Sequence, residues 1–228
     1  MRPVAIALLL AFTLIASAQE AVVLKRIAKA GDTWKYRMQA LTTLETKPAT
    51  FTSLLTETVK AVDAEKGTIT IESVSTQNEV KFNEKTSTPP ESTTTTIVSG
   101  NGAVATIVTG AEDPNLYRLA NLNSLQFGKT AVKIGDTWTI DVAADDRGTV
   151  AATGSYKIEA TEKVGEIDTW RISGTFKETS GDKPASIDAI YWVDPKDGSI
   201  VKMTGNLTNA PFPDLPPLTV KISLTREK

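Results

Sequence analysis

The tetrapeptide Gly31-Asp32-Thr33-Trp34 recurs letter for letter as Gly135-Asp136-Thr137-Trp138, about a hundred residues further along the chain. Each copy opens a stretch in which apolar and polar residues alternate. A repeated word at the start of two similar stretches is typical of an internally duplicated supersecondary unit. Such a repeat constrains architecture far more than chemistry, because nothing catalytic lies within the repeated words.

The alternation after each copy predicts β-strands. In the second copy Trp138, Ile140 and Val142 point one way, whereas Thr139 and Asp141 point the other. A period of two residues is the signature of a strand with one buried face. The same period recurs several times along the chain, most cleanly over residues 218–224.

Two further matches follow the tetrapeptide in the same order. Residues 58–61 align with residues 157–160, and the predicted hairpin turn at residues 100–102 aligns with a turn at residues 194–198. We therefore predict an all-β protein, in which two tandem homologous antiparallel units form a curved sheet or half-barrel. The proline-rich residues 211–217 cannot belong to a central strand.

One short helix is predicted between the two units. Asp113 is a suitable N-cap, Pro114 suits the first helical position, and Leu116, Leu119 and Ala120 supply an apolar stripe. The predicted organisation is a first β repeat over residues 19–110, a helical connector over 111–130 and a second β repeat over 131–228.

Residues 1–18 have the pattern of a secretory signal peptide. A positive charge at Arg2 precedes an apolar run, and Ala16-Ser17-Ala18 supplies the small residues of a cleavage site after Ala18. The run is shorter than the roughly 20 residues that span a bilayer, and no second run follows it. We predict an exported protein, periplasmic or extracellular, without a transmembrane segment in the mature chain.

The composition excludes several kinds of site. The sequence has no histidine and no cysteine, which rules out Ser-His-Asp and Cys-His catalysis and the usual zinc ligands. With a formal net charge of -2 and no basic stripe, nucleic acid is not expected as a partner. No cofactor or metal is expected either.

Paired carboxylates leave a hydrolase open as one interpretation. Asp145, Asp146, Asp188 and Asp194 are the candidates, since a glycosidase needs only two carboxyl groups several ångström apart. Turn chemistry explains most of these residues without any reaction, because aspartate is favoured where the chain reverses. We expect structural turns at Asp145, Asp146 and Asp194.

The tryptophans are the other candidate site residues. Trp34 and Trp138 occupy equivalent positions in the two repeats, which favours one core anchor in each repeat over a ligand platform. Tyr191 and Trp192 are neighbours in a stretch that is apolar on both faces. One of them must point away from the main core, where it covers a second layer or lines a cavity.

The segment Tyr191–Lys202 resembles the hairpin of bacterial exported proteins with the LolA-like fold. In that family a strongly curved antiparallel half-barrel is closed by helices over an apolar concave face. Its members carry lipoproteins or lipids across the envelope. The resemblance implies a curved sheet with an apolar ligand.

Three functions stay open at this point. The first is a non-catalytic binding protein for an apolar small molecule, a lipid or a lipoprotein, with Tyr191, Trp192, Leu116 and Leu119 around one cavity of at least about 300 Å³. The second is an envelope structural or protein-interaction module that presents an apolar patch or an open edge strand to an envelope protein. The third is the carboxylate hydrolase.

Overall fold

The computed structural model describes residues 21–108, 113–213 and 215–227; the predicted signal peptide and its cleavage site lie outside them. Within these ranges the chain forms one twelve-stranded antiparallel sheet and one helix, which confirms the all-β fold class. The elements in chain order are β1 Thr33–Leu44, β2 Lys47–Asp63, β3 Thr68–Phe82, β4 Lys85–Ser87, β5 Ser92–Ser99, β6 Val104–Val108, α1 Pro114–Asn123, β7 Thr137–Val142, β8 Ala152–Val164, β9 Ile167–Glu178, β10 Ser186–Val193, β11 Ile200–Ala210 and β12 Leu218–Arg226.

The sheet consists of two meanders that are joined through the first and the last strand. Its order is β6-β5-β3-β2-β1-β12-β11-β10-β9-β8-β7, and the short β4 pairs with β3 off this path. The seam between the halves is an antiparallel ladder in which Tyr36 of β1 is paired with Arg226 of β12, and Thr42 with Val220. The first half of the sheet is therefore β1–β6, and the second half is β7–β12.

The helix shows that the sheet is curved. Helix α1 contacts both β6 and β10, although six strands lie between them in the sheet. In a flat sheet with strands about 4.8 Å apart, these two strands would be separated by roughly 34 Å. A helix about 10 Å in diameter cannot bridge that distance, so the sheet bends around it. We call the side that faces the helix the inner face and the opposite side the outer face.

The two copies of the repeated tetrapeptide adopt the same local structure. Gly31 and Gly135 have φ values of 92° and 91°, a region that favours glycine. The amide of Gly31 donates to the carbonyl of Val59, and the amide of Gly135 donates to that of Ile158. In both halves the next strand has a bulge directly after this point, between residues 59 and 61 and between residues 158 and 160.

This agreement supports the proposal that the halves descend from one duplicated unit, and the boundaries at residues 110 and 130 stay predictions. The halves also differ, because β4 of the first half has no counterpart in the described part of the second half. The sequence pattern did not predict β4, because a strand of three residues after a turn shows too little alternation to be recognised.

Helix α1 begins at the predicted N-cap and ends at Asn123. The side chain of Asp113 accepts a hydrogen bond from the amide of Asn115, and Pro114 occupies the first turn. Ser124 is the C-cap, and its hydroxyl and amide both donate to the carbonyl of Asn121. A serine that satisfies the last carbonyls ends the helix without a glycine.

A buried ion pair fixes the helix to the second half of the sheet. The guanidinium of Arg118 makes two hydrogen bonds of 2.7 Å to the carboxylate of Glu178 at the end of β9. The Glu178 side chain is only 2% exposed, and it also accepts the amide of Ala185. This bidentate contact determines where α1 lies over the inner face.

Apolar packing is unequally divided between the halves. The large core cluster combines the inner-face side chains of β7–β12 with the helix and the segment that follows it, including Leu122 and Phe127. A separate small cluster in the first half consists of Val59, Ile69 and Ile71. The rest of the inner face of the first half is therefore less completely covered.

Candidate functional site

The structure does not bring the four predicted site residues together around one cavity. Tyr191 is 1% exposed and belongs to the large core on the inner face. Its neighbour Trp192 points to the outer face, where its indole nitrogen donates to Glu162 at 2.7 Å and the Lys202 ammonium lies 4.5 Å from its ring. Because consecutive strand residues face opposite sides, one of the two was expected to point away from the core, and Trp192 does so.

The two predicted helix residues lie on α1 and serve packing. Leu119 packs against the large core, and Leu116 is partly buried one turn earlier. Neither leucine, nor Tyr191 or Trp192, lines the two cavities described below. A ligand-binding role for these four residues stays a prediction.

The two equivalent tryptophans have different surroundings. Trp138 is 8% exposed, stacks on Tyr156 with ring centroids 5.2 Å apart and donates its indole N–H to the Gln126 carbonyl. Trp34 is only partly buried; it packs against the small cluster of the first half, with the guanidinium of Arg26 5.1 Å from its ring. In the first half the most deeply buried aromatic residue of β1 is Tyr36 instead.

The candidate aspartates are dispersed. Asp145 forms an ion pair with Arg147 and accepts backbone amides in the turn after β7, and these hydrogen bonds lower the pKa of its carboxyl despite some desolvation. Asp146 is exposed beside it, and Asp194 accepts an amide in the turn after β10. Asp188 lies on the outer face and accepts the Thr175 hydroxyl at 2.7 Å.

The larger of two cavities is an open groove of about 860 Å³ on the outer face of β7–β12 and β1. Two cross-strand rows of side chains form it. The rows are Thr137-Lys157-Ser173-Ile190-Thr204-Ser223-Gln39 and Thr139-Ser155-Thr175-Asp188-Asn206-Lys221-Leu41. We call this feature the outer groove.

Several polar side chains of the outer groove already have partners. Ser173 donates to Glu159 at 2.8 Å, Lys157 binds the same carboxylate at 3.1 Å, and Thr175 is bonded to Asp188. Most of the remaining polar groups are exposed enough to be hydrated. The exception is the hydroxyl of Tyr156, a core residue at the floor of the groove, which is buried and has no partner in the described part of the chain. The side chains of the two rows therefore need no ligand to satisfy their hydrogen bonds, despite the size of the groove.

A second cavity lies beneath the helix, on the inner face of the first half. It has a volume of about 220 Å³, and the end of α1 and the segment after it form its roof. Apolar walls come from Ile71, Val98, Leu125 and Phe127. We call it the inner cavity.

Charged groups from three parts of the chain lie in or beside the inner cavity. Glu57 of β2 and Arg26 of the segment before β1 line it. Arg226 of β12 lies outside this lining, close enough to influence the Glu57 carboxyl. Desolvation by burial is the largest influence on Glu57 and raises the pKa of its carboxyl, although both guanidinium groups act in the opposite direction. Among the described residues, none forms a hydrogen bond to the Glu57 carboxylate or an ion pair with it.

One buried polar atom of a residue that lines the inner cavity, Oδ1 of Asn123, lacks a partner in the described part of the chain. The guanidinium of Arg226 lies outside the lining, where Nη2 donates to the Ser199 hydroxyl at 2.6 Å and to the Ile200 carbonyl at 2.8 Å. An unsatisfied buried acceptor costs about 1–3 kcal/mol, so a molecule that donates a hydrogen bond to Asn123 Oδ1 is favoured.

Sequence reasoning missed this constellation, although the sequence contains a signal for it. In the alternation of β2, Glu57 occupies the inward-facing register between Leu55 and the buried Val59. A carboxyl group in a buried register requires either a partner or a raised pKa. Arg226 is distant in sequence, and the β1–β12 seam brings it near Glu57, whereas the amide of Arg26 is held by the Gly100 carbonyl in the turn between β5 and β6.

Two other kinds of site find no support in the described residues. Over residues 21–108, 113–213 and 215–227, no cluster of three or more acidic side chains is placed to hold a metal ion. No helix in the same ranges has the length and apolarity that crossing a membrane requires.

Comparison of the sequence with protein-family models and with curated proteins gives no match. Among solved structures, the chain is similar to a candidate exported protein with a YmcC-like fold from Bacteroides fragilis. The two are 12% identical, with a TM-score of 0.34 over 90% of this chain and 100% of that one. The hypothetical lipoprotein YmcC from Escherichia coli is 12% identical, with a TM-score of 0.36 over 86% of this chain and 83% of that one.

A candidate lipoprotein from Parabacteroides distasonis is 10% identical, with a TM-score of 0.36 over 92% of this chain and 100% of that one. All three are described as exported proteins or lipoproteins, and none is described as LolA-like. At this level of backbone similarity, no ligand or activity transfers from these proteins to this chain.

Proposed function

We propose that this protein is an exported, non-catalytic binding protein whose ligand is a small molecule held in the inner cavity. The observation that carries the proposal is that one cavity with apolar walls contains the unpartnered buried atom Asn123 Oδ1 and the Glu57 carboxyl group, which has no hydrogen bond in the described structure. The predicted place for the ligand, between the curved sheet and the helix, is retained. In this proposal the ligand contacts the residues of the inner cavity, and a role for Tyr191, Trp192, Leu116 and Leu119 stays a separate prediction.

The inner cavity is a better candidate than the outer groove, although the groove is about four times larger. Specific sites combine apolar walls with a few polar groups that converge on the ligand. The inner cavity has this composition, whereas the groove is open and the hydroxyl groups of its two rows are paired or exposed. Unpaired polar atoms indicate where a bound ligand would be favoured, whereas the volume of a cavity alone does not.

The dimensions of the inner cavity limit the ligand. A volume of about 220 Å³ corresponds to roughly seven water molecules at about 30 Å³ each. The walls of Ile71, Val98, Leu125 and Phe127 suit an apolar body, as expected for the predicted apolar ligand. A whole lipid exceeds this space, and only a short apolar group fits.

The carboxyl groups support a non-catalytic role over a hydrolase. Glu57 is the one carboxyl among the residues that line the inner cavity, and Asp188 is the one that lines the outer groove. A glycosidase of the usual kind places two carboxyl groups at one cleft, about 5–10 Å apart. Neither described cavity offers that pair.

Native mass spectrometry of the mature protein tests the proposal. We expect the purified protein to carry a small molecule, or to bind members of a library of small apolar acids and amides. Ser73 on β3 lines the inner cavity, so Ser73→Leu fills it with a larger side chain. The matched control is Thr70→Leu, which adds a leucine to the outer face of the same strand.

Loss of the bound mass in Ser73→Leu, together with its retention in Thr70→Leu, is the expected result. Equal retention in both variants would exclude the inner cavity as the site. Circular dichroism of both variants verifies that the sheet is intact.

The outer groove favours one alternative, an envelope interaction module. Two rows of short hydroxyl side chains, with Ile190 and the exposed Leu41 among them, leave a long open surface across seven strands. Under this alternative Thr204→Arg, which blocks the groove, abolishes association with an envelope protein. Ser73→Leu then has no effect, so the pair of variants separates the two functions.

A further inference from the structure

The two edges of the sheet differ in how they are protected. The edge strand β6 is covered by side chains, because the amide of Ile107 donates to the Tyr117 hydroxyl at 3.2 Å and the Arg147 guanidinium donates to the Ala105 carbonyl. At the opposite edge, β8 is the only described strand that pairs with β7. Strand β7 also lacks lysine, proline and a bulge, which are the usual devices that keep an edge from pairing.

Every second residue of β7 directs its backbone polar groups away from the sheet. The amide of Ile158 in β8 donates to the carbonyl of Asp136, and hydrogen-bonded pairs recur at every second residue of an antiparallel ladder. Counted from this bond, Thr137, Thr139 and Asp141 direct their amides and carbonyls away from β8. Within the described residues, no hydrogen bond reaches these outward groups.

The equivalent edge of the first half shows what kind of element such groups bind. In the repeat, Lys35 of β1 corresponds to Thr139 of β7. The carbonyl of Lys35 accepts the amide of Glu227, which directly follows β12, and residues 36–42 of β1 form an antiparallel ladder with β12. The repeated unit thus accepts an antiparallel strand at this edge, and β7 has no such neighbour in the described part of the chain.

The charges at the two ends of β7 favour a second copy of this chain as that neighbour. Before the strand lie Lys129, Lys133 and Asp136, with a net charge of +1; at its end and after it lie Asp141, Asp145, Asp146 and Arg147, with a net charge of −2. Lys133 and Asp146 are both exposed. An antiparallel arrangement of two copies brings the basic end of each beside the acidic end of the other, whereas a parallel arrangement opposes like charges.

We propose that β7 pairs with β7 of a second copy of this chain about a two-fold axis at Thr139. In this register Thr139 lies opposite the same residue of the other copy, and Thr137 lies opposite Asp141. The outward backbone groups then bond to each other, and the Thr137 hydroxyl faces the Asp141 carboxylate on the outer face. Lys133 comes level with the acidic residues 145 and 146 of the other copy.

This pairing extends the outer groove. Thr139 ends one of the two cross-strand rows that line the groove. Across the two-fold axis, this row continues into the same row of the second copy. The dimer therefore presents one surface that crosses twice as many strands as the groove of a single copy. The inner cavity is unaffected, because no residue of β7 lines it.

The proposal predicts a dimer that dissociates on dilution. Strand β7 has six residues, so two copies of it bury less than the roughly 1,600 Å² of a standard interface. Sedimentation equilibrium of the mature protein between about 10 μM and about 1 mM measures the association. We expect dimers in the upper part of this range, and weaker association at about 1 M salt, where charges are screened within about 3 Å.

Thr139→Pro tests the strand pairing. The substitution removes the amide at the centre of the interface, and it spares the ladder with β8 because this amide points away from that strand. We expect Thr139→Pro to be monomeric over the whole concentration range. The matched control Thr139→Val keeps the amide and should dimerise as the wild type does. Circular dichroism and thermal unfolding verify that both variants are folded.

A charge exchange tests the orientation, and it does not depend on the proline variant. Lys133→Glu and Asp146→Lys each bring like charges together at both ends of their own dimer, so each should reduce the association constant about tenfold. In an equimolar mixture of the two variants, every end of the mixed dimer again brings one acidic and one basic side chain together. Native mass spectrometry distinguishes the mixed dimer by its mass, and we expect it to dominate.

Three results would contradict the proposal. A wild type that stays monomeric at about 1 mM would overturn the second copy as the occupant and leave the edge to a strand of another protein. A dimer that persists in Thr139→Pro would place the contact elsewhere on the surface. Mixed dimers no more abundant than either homodimer would overturn the antiparallel register about Thr139.

Discussion

The two halves of the sheet begin with the same turn and differ in what they bury. In β7–β12 the inner face is filled by a continuous core that includes Trp138, the helix and the segment after it. In β1–β6 the comparable cluster is limited to Val59, Ile69 and Ile71, with Trp34 partly exposed at its side. The first half has polar and charged groups in the positions that the second half fills with apolar side chains.

This difference teaches how one backbone pattern can serve two purposes. Stability follows buried apolar area, so the second half contributes most of it. The first half receives stability through the β1–β12 seam and can therefore accommodate Glu57 and unpaired polar atoms on its inner face. Strained or unsatisfied groups persist where the surrounding structure supports them.

The largest expected effect compares the two tryptophans. Trp138→Ala removes a stacked, nearly buried ring and its hydrogen bond, and it should lower the free energy of unfolding by about 3–5 kcal/mol. Trp34→Ala should cost about 1–2 kcal/mol, because part of the ring is already exposed. Urea denaturation of both variants measures the difference. Equal losses would mean that the halves depend on their tryptophans to the same extent.

The next effect concerns the ion pair that holds the helix on the second half. Glu178→Gln leaves the partly buried Arg118 without its counter-charge and should cost about 2–3 kcal/mol. The control Glu227→Gln breaks the exposed pair with Arg37, whose side chains are 35% and 47% exposed, and should cost below about 1 kcal/mol. Thermal unfolding compares the two. Similar costs would show that the helix is not anchored at Glu178.

The smallest effect is a pH dependence of stability that arises in the first half. Because burial raises the pKa of Glu57, the folded state binds its proton more tightly than the unfolded state does. The stability contributed by this proton is complete below the unfolded pKa and is lost as the pH rises through the folded pKa. Glu57→Gln should therefore stabilise the ligand-free protein at neutral pH and flatten this part of the profile. A variant that unfolds more readily than the wild type at neutral pH would contradict this account.

Much of the fold could be predicted, because strands and turns are local patterns. The alternation in β7 and β12, the hairpin turn at residues 100–102 and the Asp113 cap all depend on neighbouring residues. The same local reasoning correctly separated the faces of Tyr191 and Trp192. It could not say what covers each face, because that depends on how the whole sheet curves around the helix.

The candidate site was predicted less well for the same physical reason. Equivalent positions in sequence suggested equivalent burial for Trp34 and Trp138, and the structure shows that coverage by the helix segment differs between the halves. Glu57 meets Arg226 only through the seam between β1 and β12. A contact between residues so far apart leaves no periodicity that a sequence can display.

The seam between β1 and β12 also sets an order of events for the nascent polypeptide. Because β12 is the last of the described strands in chain order, β1 lacks its second neighbour until residues 218–226 are available to pair with it. Contacts of such long range slow folding and prolong the time in which an open edge can recruit another molecule. Lys35 and Arg37 project from β1 on the exposed side, and such charges discourage premature association. A truncation that removes β12 would thus take Leu224 from the wall of the inner cavity. It would also leave β1 as a permanently open edge strand, which can pair with another molecule.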